Sequence, residues 1–93
     1  MKLECCFYGP FRDAIGEKSL VRETDCETVG DLLAELEEAY PALEGEILAD
    51  DGSELAGDTV VSRNGRHVVH LDGLATDLED GDVIRLVPSV YGG

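Results

Sequence analysis

The stretch that decides the fold is Leu78–Gly93, LEDGDVIRLVPSVYGG. Within it, Val83, Ile84, Leu86 and Val87 make an apolar run broken only by Arg85, which predicts a strand over Val83–Val87. Pro88 stops that strand, because proline has no N–H to give to a ladder. Near-continuous apolarity predicts burial on both faces, hence a place in mid-sheet. Five residues follow: Ser89, Val90, Tyr91, Gly92 and Gly93. Glycine loses more freedom on ordering than any other residue, so a Gly-Gly end finishes a core badly and makes a thin tail well. The expected division is a folded body over 1–88 and a flexible tail over 89–93.

Upstream, Thr59–Arg63 reads as a strand and Asn64-Gly65 as a tight hairpin turn, since both central residues of that turn need positive φ. His67–Leu71 is the predicted partner strand. Asp72-Gly73 and Asp80-Gly81 mark further turns. The clearest helix opens at Thr28, a good N-cap with Asp31 three residues on. Val29, Leu32, Leu33, Leu36 and Tyr40 fall at helical spacing along one stripe, Glu35, Glu37 and Glu38 take the wet side, and Pro41 ends it. Ala42–Leu48 adds a short helical turn carrying Leu43, Ile47 and Leu48, and Asp50-Asp51-Gly52-Ser53 reads as a polar loop.

At the N-terminus Leu3, Cys5 and Phe7 alternate with Lys2, Glu4 and Cys6, a half-buried strand over Lys2–Tyr8. Phe11–Gly16 is a turn with helical character closed by Gly16. Lys18–Thr24 returns as a second strand, which makes a hairpin; the faces of Leu20 and Val21 stay open. A final strand in mid-sheet needs an early neighbour. Laid parallel beside the first strand, it turns the helix into a cover and sends the tail off one end of the sheet. The class is α+β, one mixed sheet of four to five strands packed on one main helix.

The chain has 93 residues, one domain's worth, and carries 21 Asp and Glu against 7 Lys and Arg, a net charge of −14. Phosphate backbones need a basic surface, so nucleic acid is not an expected partner. So much like charge repels itself unless screened, and the screening length falls to roughly 3 Å in 1 M salt. Acid-rich, lysine-poor composition fits a salt-loaded, halophilic cytoplasm. No apolar stretch is long enough to span a bilayer, and Met1-Lys2-Leu3-Glu4 is not a signal-peptide pattern. A cytoplasmic monomer without a membrane partner is expected. Cys5, Cys6 and Cys26 lack the Cys-x-x-Cys spacing of a zinc or redox pair and read as reduced, buried thiols.

No enzyme site emerges. His67 and His70, three apart on a strand, would face opposite sides and share no metal. Asp77–Asp82 resembles a calcium loop, but its glycine stands fifth where sixth is required and no closing Glu follows, so it reads as a solvated turn. No Ser-His-Asp order and no phosphate cradle is present. What remains is the tail, with an extended reach of about 17 Å past Pro88. Without Cβ atoms, Gly92 and Gly93 can pass a narrow slot and set a carboxylate against a nucleotide. A carboxylate is inert until its oxygen becomes a leaving group, and adenylation by ATP achieves that. The acyl-AMP is then open to sulfur or to a lysine amine. In that scheme the protein is a substrate and Gly93 carries its reactive group.

The segments FYGPFRDAIGEKSL, TVGDLLAELEEAYP, RNGRHV and LEDGDVIRLVPSVYGG resemble the small subunit of molybdopterin synthase and its MoaD/ThiS-like sulfur-carrier relatives, the archaeal small ubiquitin-like modifiers above all. The most specific parts are Leu78–Val83 and the Pro-x-x-x-Gly-Gly ending; Ser89 stands where the family usually has a second proline. The resemblance implies a β-grasp fold, the ubiquitin-like roll, with no bound cofactor. It implies an E1-like activating enzyme that adenylates Gly93 with ATP. Gly93 then becomes a thiocarboxylate, for molybdopterin or tRNA thiolation, or an isopeptide bond to a target lysine. It also implies docking, to that enzyme or to the synthase large subunit, through the apolar sheet face next to the tail. By position Phe7, Leu86, Val87, Pro88 and Val90, with Tyr91 in the tail, are the expected contacts; for Phe7 and Leu86 plain core packing is the competing reading.

Two other readings stand beside this one. A non-covalent ubiquitin-like adaptor would leave the Gly-Gly tail unused. A β-grasp iron–sulfur protein fails, because such clusters want four cysteines and the chain has 3. For chains built on itself, Lys18 is the expected acceptor, since Lys2 lies in a strand.

Overall fold

The computed structural model describes residues 1–48, 55–56 and 59–88. The Asp50–Ser53 loop and the tail over 89–93 lie outside the described residues. Strands β1 (Lys2–Phe7), β2 (Ser19–Glu23), β3 (Thr59–Arg63), β4 (Arg66–His67) and β5 (Val83–Pro88) form one sheet in the order β2-β1-β5-β3-β4. Helix α1 (Pro10–Ile15) joins β1 to β2, and α2 (Val29–Ala39) covers one face of the sheet. This is the expected β-grasp arrangement.

The last strand holds the sheet together. β5 runs parallel to β1, with Cys5 beside Ile84 and Phe7 beside Leu86, and antiparallel to β3, with Val61 beside Leu86. It therefore sits in mid-sheet, as its apolar run predicts. The prediction of burial on both faces fails. Ile84, Leu86 and Pro88 are buried, whereas Val83, Arg85 and Val87 are half-buried. The sheet has a helix on one side only, so the other side of its central strand stays partly open.

The core is the helix-facing layer of β1, β5 and β3 closed by the stripe of α2. Leu3, Cys5, Phe7, Val61, Ile84 and Leu86 meet Val29, Leu32, Leu33 and Leu36, each at most 1 % exposed. Full burial of one such side chain contributes roughly 1.5–3 kcal/mol, so a residue at these sites is not free to serve a partner. Leu43, Ile47 and Leu48 close the layer's edge. Thr28 caps α2 by accepting from the Asp31 N–H at 3.3 Å. Gly30, in the first turn of α2, lies so close to the passing Gly73–Ala75 turn that a Cβ there would meet the Leu74 carbonyl oxygen at 3.0 Å. In β2, Leu20 packs against the core and Val21 points to solvent, 70 % exposed.

Two expectations need correction downstream of β3. The hairpin turn is as read, with Asn64 at φ 53 and Gly65 at φ 86. The partner strand, however, ends after Arg66–His67, and Val68–His70 winds into a 3-10 turn. The His67 ring takes part in the bend: Nδ1 accepts from the Val69 N–H at 3.2 Å, and Val68 turns into the core. The two histidines consequently do not face opposite sides; their rings meet edge to face with centroids 6.0 Å apart.

Candidate functional site at the exit of the last strand

Pro88 is buried, pairs with Thr59 of β3, and hands the chain to residues 89–93. Because β5 is parallel to β1, this exit lies at the end of the sheet where β1 finishes. Val90, Tyr91, Gly92 and Gly93 lie outside the described residues. Among the other expected contacts, Val87 is half-buried on the open face, opposite Val60. Phe7 and Leu86 are 0 % exposed. Their side chains belong to the core, as the competing reading for these two residues had it: a side chain with no accessible area meets no partner in this state.

The register defines the open face row by row. Val87 lies beside Val60; Arg85 lies between Cys6 and Ser62, with Ser19 and His67 outside them; Val83 lies beside Glu4, with Val21 outside. Glu4 and Glu23 are the only acids among the strand residues on this face, in a chain holding 21 acids. A sheet surface poor in acids, with the Val60–Val87 row nearest the end of β5, thus borders the start of residues 89–93, while α2 displays its carboxylates on the far side.

The cysteines are structural. All three are free thiols. Cys5 lies on the helix-facing side, where burial pushes its thiol up to about 12. Cys6 takes the other face, buried, and donates to Glu4 Oε2 at 3.3 Å; burial first and that carboxylate second raise its thiol. Cys26 donates to Glu35 Oε2 at 3.1 Å, an oxygen that also takes the Thr24 hydroxyl at 2.6 Å, while Arg22 Nη2 reaches Oε1 at 3.2 Å. Burial again leads in raising Cys26, so none of the three is a ready thiolate. Glu35 is held below the usual carboxylate range by the Thr24 and Cys26 hydrogen bonds, with Arg22 adding to them against the cost of burial. The cluster clamps β2 to α2. Among the described residues no group of three or more His, Cys, Asp and Glu is placed to hold a metal, and no helix is long and apolar enough to cross a membrane.

One set of residues was missed by the sequence reading. Asp77–Asp82 is not a merely solvated turn: Leu78 is 6 % exposed and Asp82 4 %. Asp82 Oδ2 accepts from Arg63 Nε at 2.7 Å and from the Glu79 N–H at 2.8 Å, and Oδ1 accepts from Asn64 Nδ2 at 2.9 Å. Its backbone carbonyl takes the Glu4 N–H at 2.9 Å. One carboxylate therefore ties the β3–β4 hairpin, the turn before β5 and β1 together at the head of the strand that carries the tail. The available signal was the hairpin Arg63-Asn64 upstream of an Asp next to the last strand. Lys18, the expected self-acceptor, is exposed just before β2, and Lys2 is exposed at the start of β1.

Comparison with known proteins agrees with this architecture. Small archaeal modifier protein 3 of Haloferax volcanii is 46% identical over 94 residues, covering 100% of both chains. The solution structure of a Haloferax volcanii protein superposes with a TM-score of 0.84 at 47% identity, covering 100% of this chain and 87% of that one. The crystal structure of the small archaeal modifier protein SAMP1 from the same organism gives 0.81 at 33% identity, covering 100% of both. The ThiS family pattern matches residues 6–93, which take in most of the folded body together with the Gly-Gly end. With a full-length relative at that identity and the family pattern matched over residues 6–93, this chain belongs to the ThiS family.

Proposed function

We propose that the chain is a ubiquitin-like protein modifier or sulfur carrier, itself no catalyst, whose Gly93 carboxylate is adenylated by an E1-like enzyme at the expense of ATP. The observation that carries the reading is the full-length match to an archaeal modifier protein. The exit of β5 supports it, because a buried Pro88 fixes where residues 89–93 start beside an open sheet face. The activated Gly93 passes either to sulfur, giving a thiocarboxylate for molybdopterin or tRNA thiolation, or to the amine of a target lysine, giving an isopeptide bond. Val87 and Val60 on the open face, with Val90 and Tyr91 in the tail, meet the activating enzyme or a synthase large subunit. The thiols, all raised by burial, are poor nucleophiles, which is in keeping with the Gly93 carboxylate as the reacting group.

Intact-mass analysis of protein purified from its own cells tests the proposal. An oxygen-to-sulfur mass shift marks the carrier. Trypsin cleaves after Arg85, so conjugation leaves Leu86–Gly93 on target lysines. Deleting Gly92 and Gly93 should abolish both products. Survival of either product in the deletion variant, or absence of both from the intact protein, overturns the proposal and leaves a non-covalent adaptor.

A further inference from the structure

His67 lies in β4, the edge strand of the sheet, and His70 ends the turn that follows it. Two hydrogen bonds hold that turn. The Val69 N–H donates to His67 Nδ1 at 3.2 Å, and the Leu71 N–H donates to the Val68 carbonyl at 2.9 Å. The first bond fixes the tautomer: a ring whose Nδ1 accepts is neutral and carries its proton on Nε2. A second proton makes both nitrogens donors, so Nδ1 would then face another N–H. The ring can hold the turn or the second proton, not both.

The sheet register shows where the chain goes on release. β3 and β4 pair Arg63 with Arg66 and Ser62 with His67. Continued by two residues, the same ladder sets Val68 beside Val61 and Val69 beside Val60. The Asn64 N–H donates to the Val83 carbonyl, so by alternation Val60 and Ser62 turn their backbone groups to β5, and Val61 and Arg63 turn theirs to β4. The Val68 carbonyl, which now accepts from Leu71, would accept from the Val61 N–H instead. Val68 is 1 % exposed and Val61 0 %, and both lie on the core side, so Val68 keeps its place. Val69, 64 % exposed, takes the face of His67, which is the open one. Val68 and Val69 are β-branched and suit a strand.

We infer that His67 is a proton-operated catch: its neutral ring holds the turn, and its protonated ring releases Val68–His70 to extend β4. Val69 then joins Val60 and Val87 in one apolar row across the open face. The consequence for docking rests on the reading that this face meets a partner. The charged and titratable groups around the ring come from four elements. Arg66 and His70 belong to its own stretch. Arg63 of β3 is paired with Asp82 and Glu79. Arg85 of β5 follows Ser62 in the same row, with Cys6 of β1 beyond it. Asp72 leads into the Gly73–Ala75 turn packed on Val68–His70. Arginines and ordinary carboxylates keep their charge between about pH 5 and 8, and burial raises the Cys6 thiol, so a step in that window belongs to the histidines.

NMR of the isotope-labelled full chain, in constant KCl from about pH 8 to pH 5, tests this. The nuclear Overhauser contact between Val69 and Val60 should grow about fivefold on acidification, the factor that one neutral hydrogen bond commands. Its midpoint should coincide with the titration of the His67 ring. His67→Asn keeps an acceptor that does not titrate and should hold the turn at both ends of the range. His67→Ala has no acceptor and should show the contact at both. His70→Ala should respond as wild type does, because the accepting nitrogen is on His67. A contact missing from acidified wild type or from His67→Ala, a pH response that survives in His67→Asn, or one that disappears in His70→Ala overturns the inference. These outcomes separate from those of the functional proposal. An extension of β4 on acidification, with no thiocarboxylate or conjugate in cells, sinks the function and keeps the catch; the reverse result does the opposite.

Discussion

Replacing Asp82 by Asn changes one oxygen for one NH2 group and little else in shape. The carboxylate is buried and serves four donor contacts, the fourth being Arg63 Nη2 at 3.4 Å. Hydrogen bonds to a charged group contribute roughly 1.5–3 kcal/mol, against about 1 kcal/mol for a neutral pair. Asn can keep the Oδ2 bonds to Arg63 Nε and the Glu79 N–H, but without charge, and its NH2 then points at the Asn64 Nδ2 donor. Asn64 is exposed and can turn to water. Losing the charge on the Arg63 contacts and one neutral bond amounts to about 2 kcal/mol. Ala leaves the Arg63 guanidinium, 22% exposed, and the Glu79 N–H without that acceptor, which raises the loss to about 3–4 kcal/mol. In a domain whose whole stability is about 5–15 kcal/mol, these are large fractions.

At about 4–8 °C per kcal/mol for a domain of this size, Asp82→Asn should lower Tm by about 8–16 °C. Urea unfolding followed by circular dichroism, in KCl held constant, measures the difference directly. Burial alone would raise the Asp82 carboxyl, but the bonds from Asn64, the Glu79 N–H and Arg63 outweigh it and hold the group below its ordinary value. A group lowered on folding stabilises fully above its unfolded pKa, about 3.9 for Asp, and loses that contribution as pH falls through the folded value. The gap between wild type and Asp82→Asn should therefore be full at neutral pH and shrink below about pH 4. Glu79→Gln is the control: its carboxylate, on a side chain 78% exposed, meets Arg63 Nη2 at 3.3 Å, and such exposed pairs contribute about 0–1 kcal/mol. A neutral-pH cost for Asp82→Asn no larger than that of Glu79→Gln, or a gap independent of pH, would refute the reasoning.

Three further outcomes follow from the same structure. In a thiol-reagent time course on native protein near pH 7, Cys5 should stay unlabelled, its thiol being pushed up to about 12, and should react only after denaturation; labelling at the rate of a free thiol contradicts its burial. Gly30→Ala gains helix propensity worth about 1 kcal/mol, but its Cβ meets the Leu74 oxygen at 3.0 Å and Leu74 Cβ at 3.1 Å, so the net result should be destabilisation by about 1 kcal/mol in urea melts. With a net charge of −14, the unfolding midpoint should climb as KCl is raised from low to molar concentration, and a flat response removes the self-repulsion argument.

The legible parts of the sequence were those where one local rule acted alone. Thr28 before a 3.6-residue stripe gave α2, Asn64-Gly65 gave the hairpin turn, and the run ending at Pro88 gave a central strand. The misreadings arose where tertiary context overruled the local pattern. His67–Leu71 looked like a strand because Val68, Val69 and Leu71 are strand formers, but a side-chain nitrogen on a backbone N–H bent it after two residues. Val87 looked buried because strand patterns report apolarity, not how many layers a sheet receives. Asp82 looked wet because a turn pattern weighs only neighbours along the chain, and its partner Arg63 lies 19 residues upstream.

The burial found in β1 and β5 bears on function in opposite ways. Phe7 and Leu86, for which docking and core packing were both open, lie in the core, which leaves two fewer side chains on the surface next to the tail. Val87 moved from the core to the open face, which keeps one and gives it a neighbour, Val60, that the sequence did not single out. A charge placed at Val87 should then weaken binding to the activating enzyme and leave the fold largely intact, since the site is half-buried and faces away from α2. A charge placed at Leu86, by contrast, should unfold the domain, since an unpaired charge would be sealed into the core. Only the first variant can distinguish a docking surface from a packing surface. If Val87→Asp folds normally and is activated as fast as wild type, the open face is not where the partner sits, and recognition must lie in the tail itself.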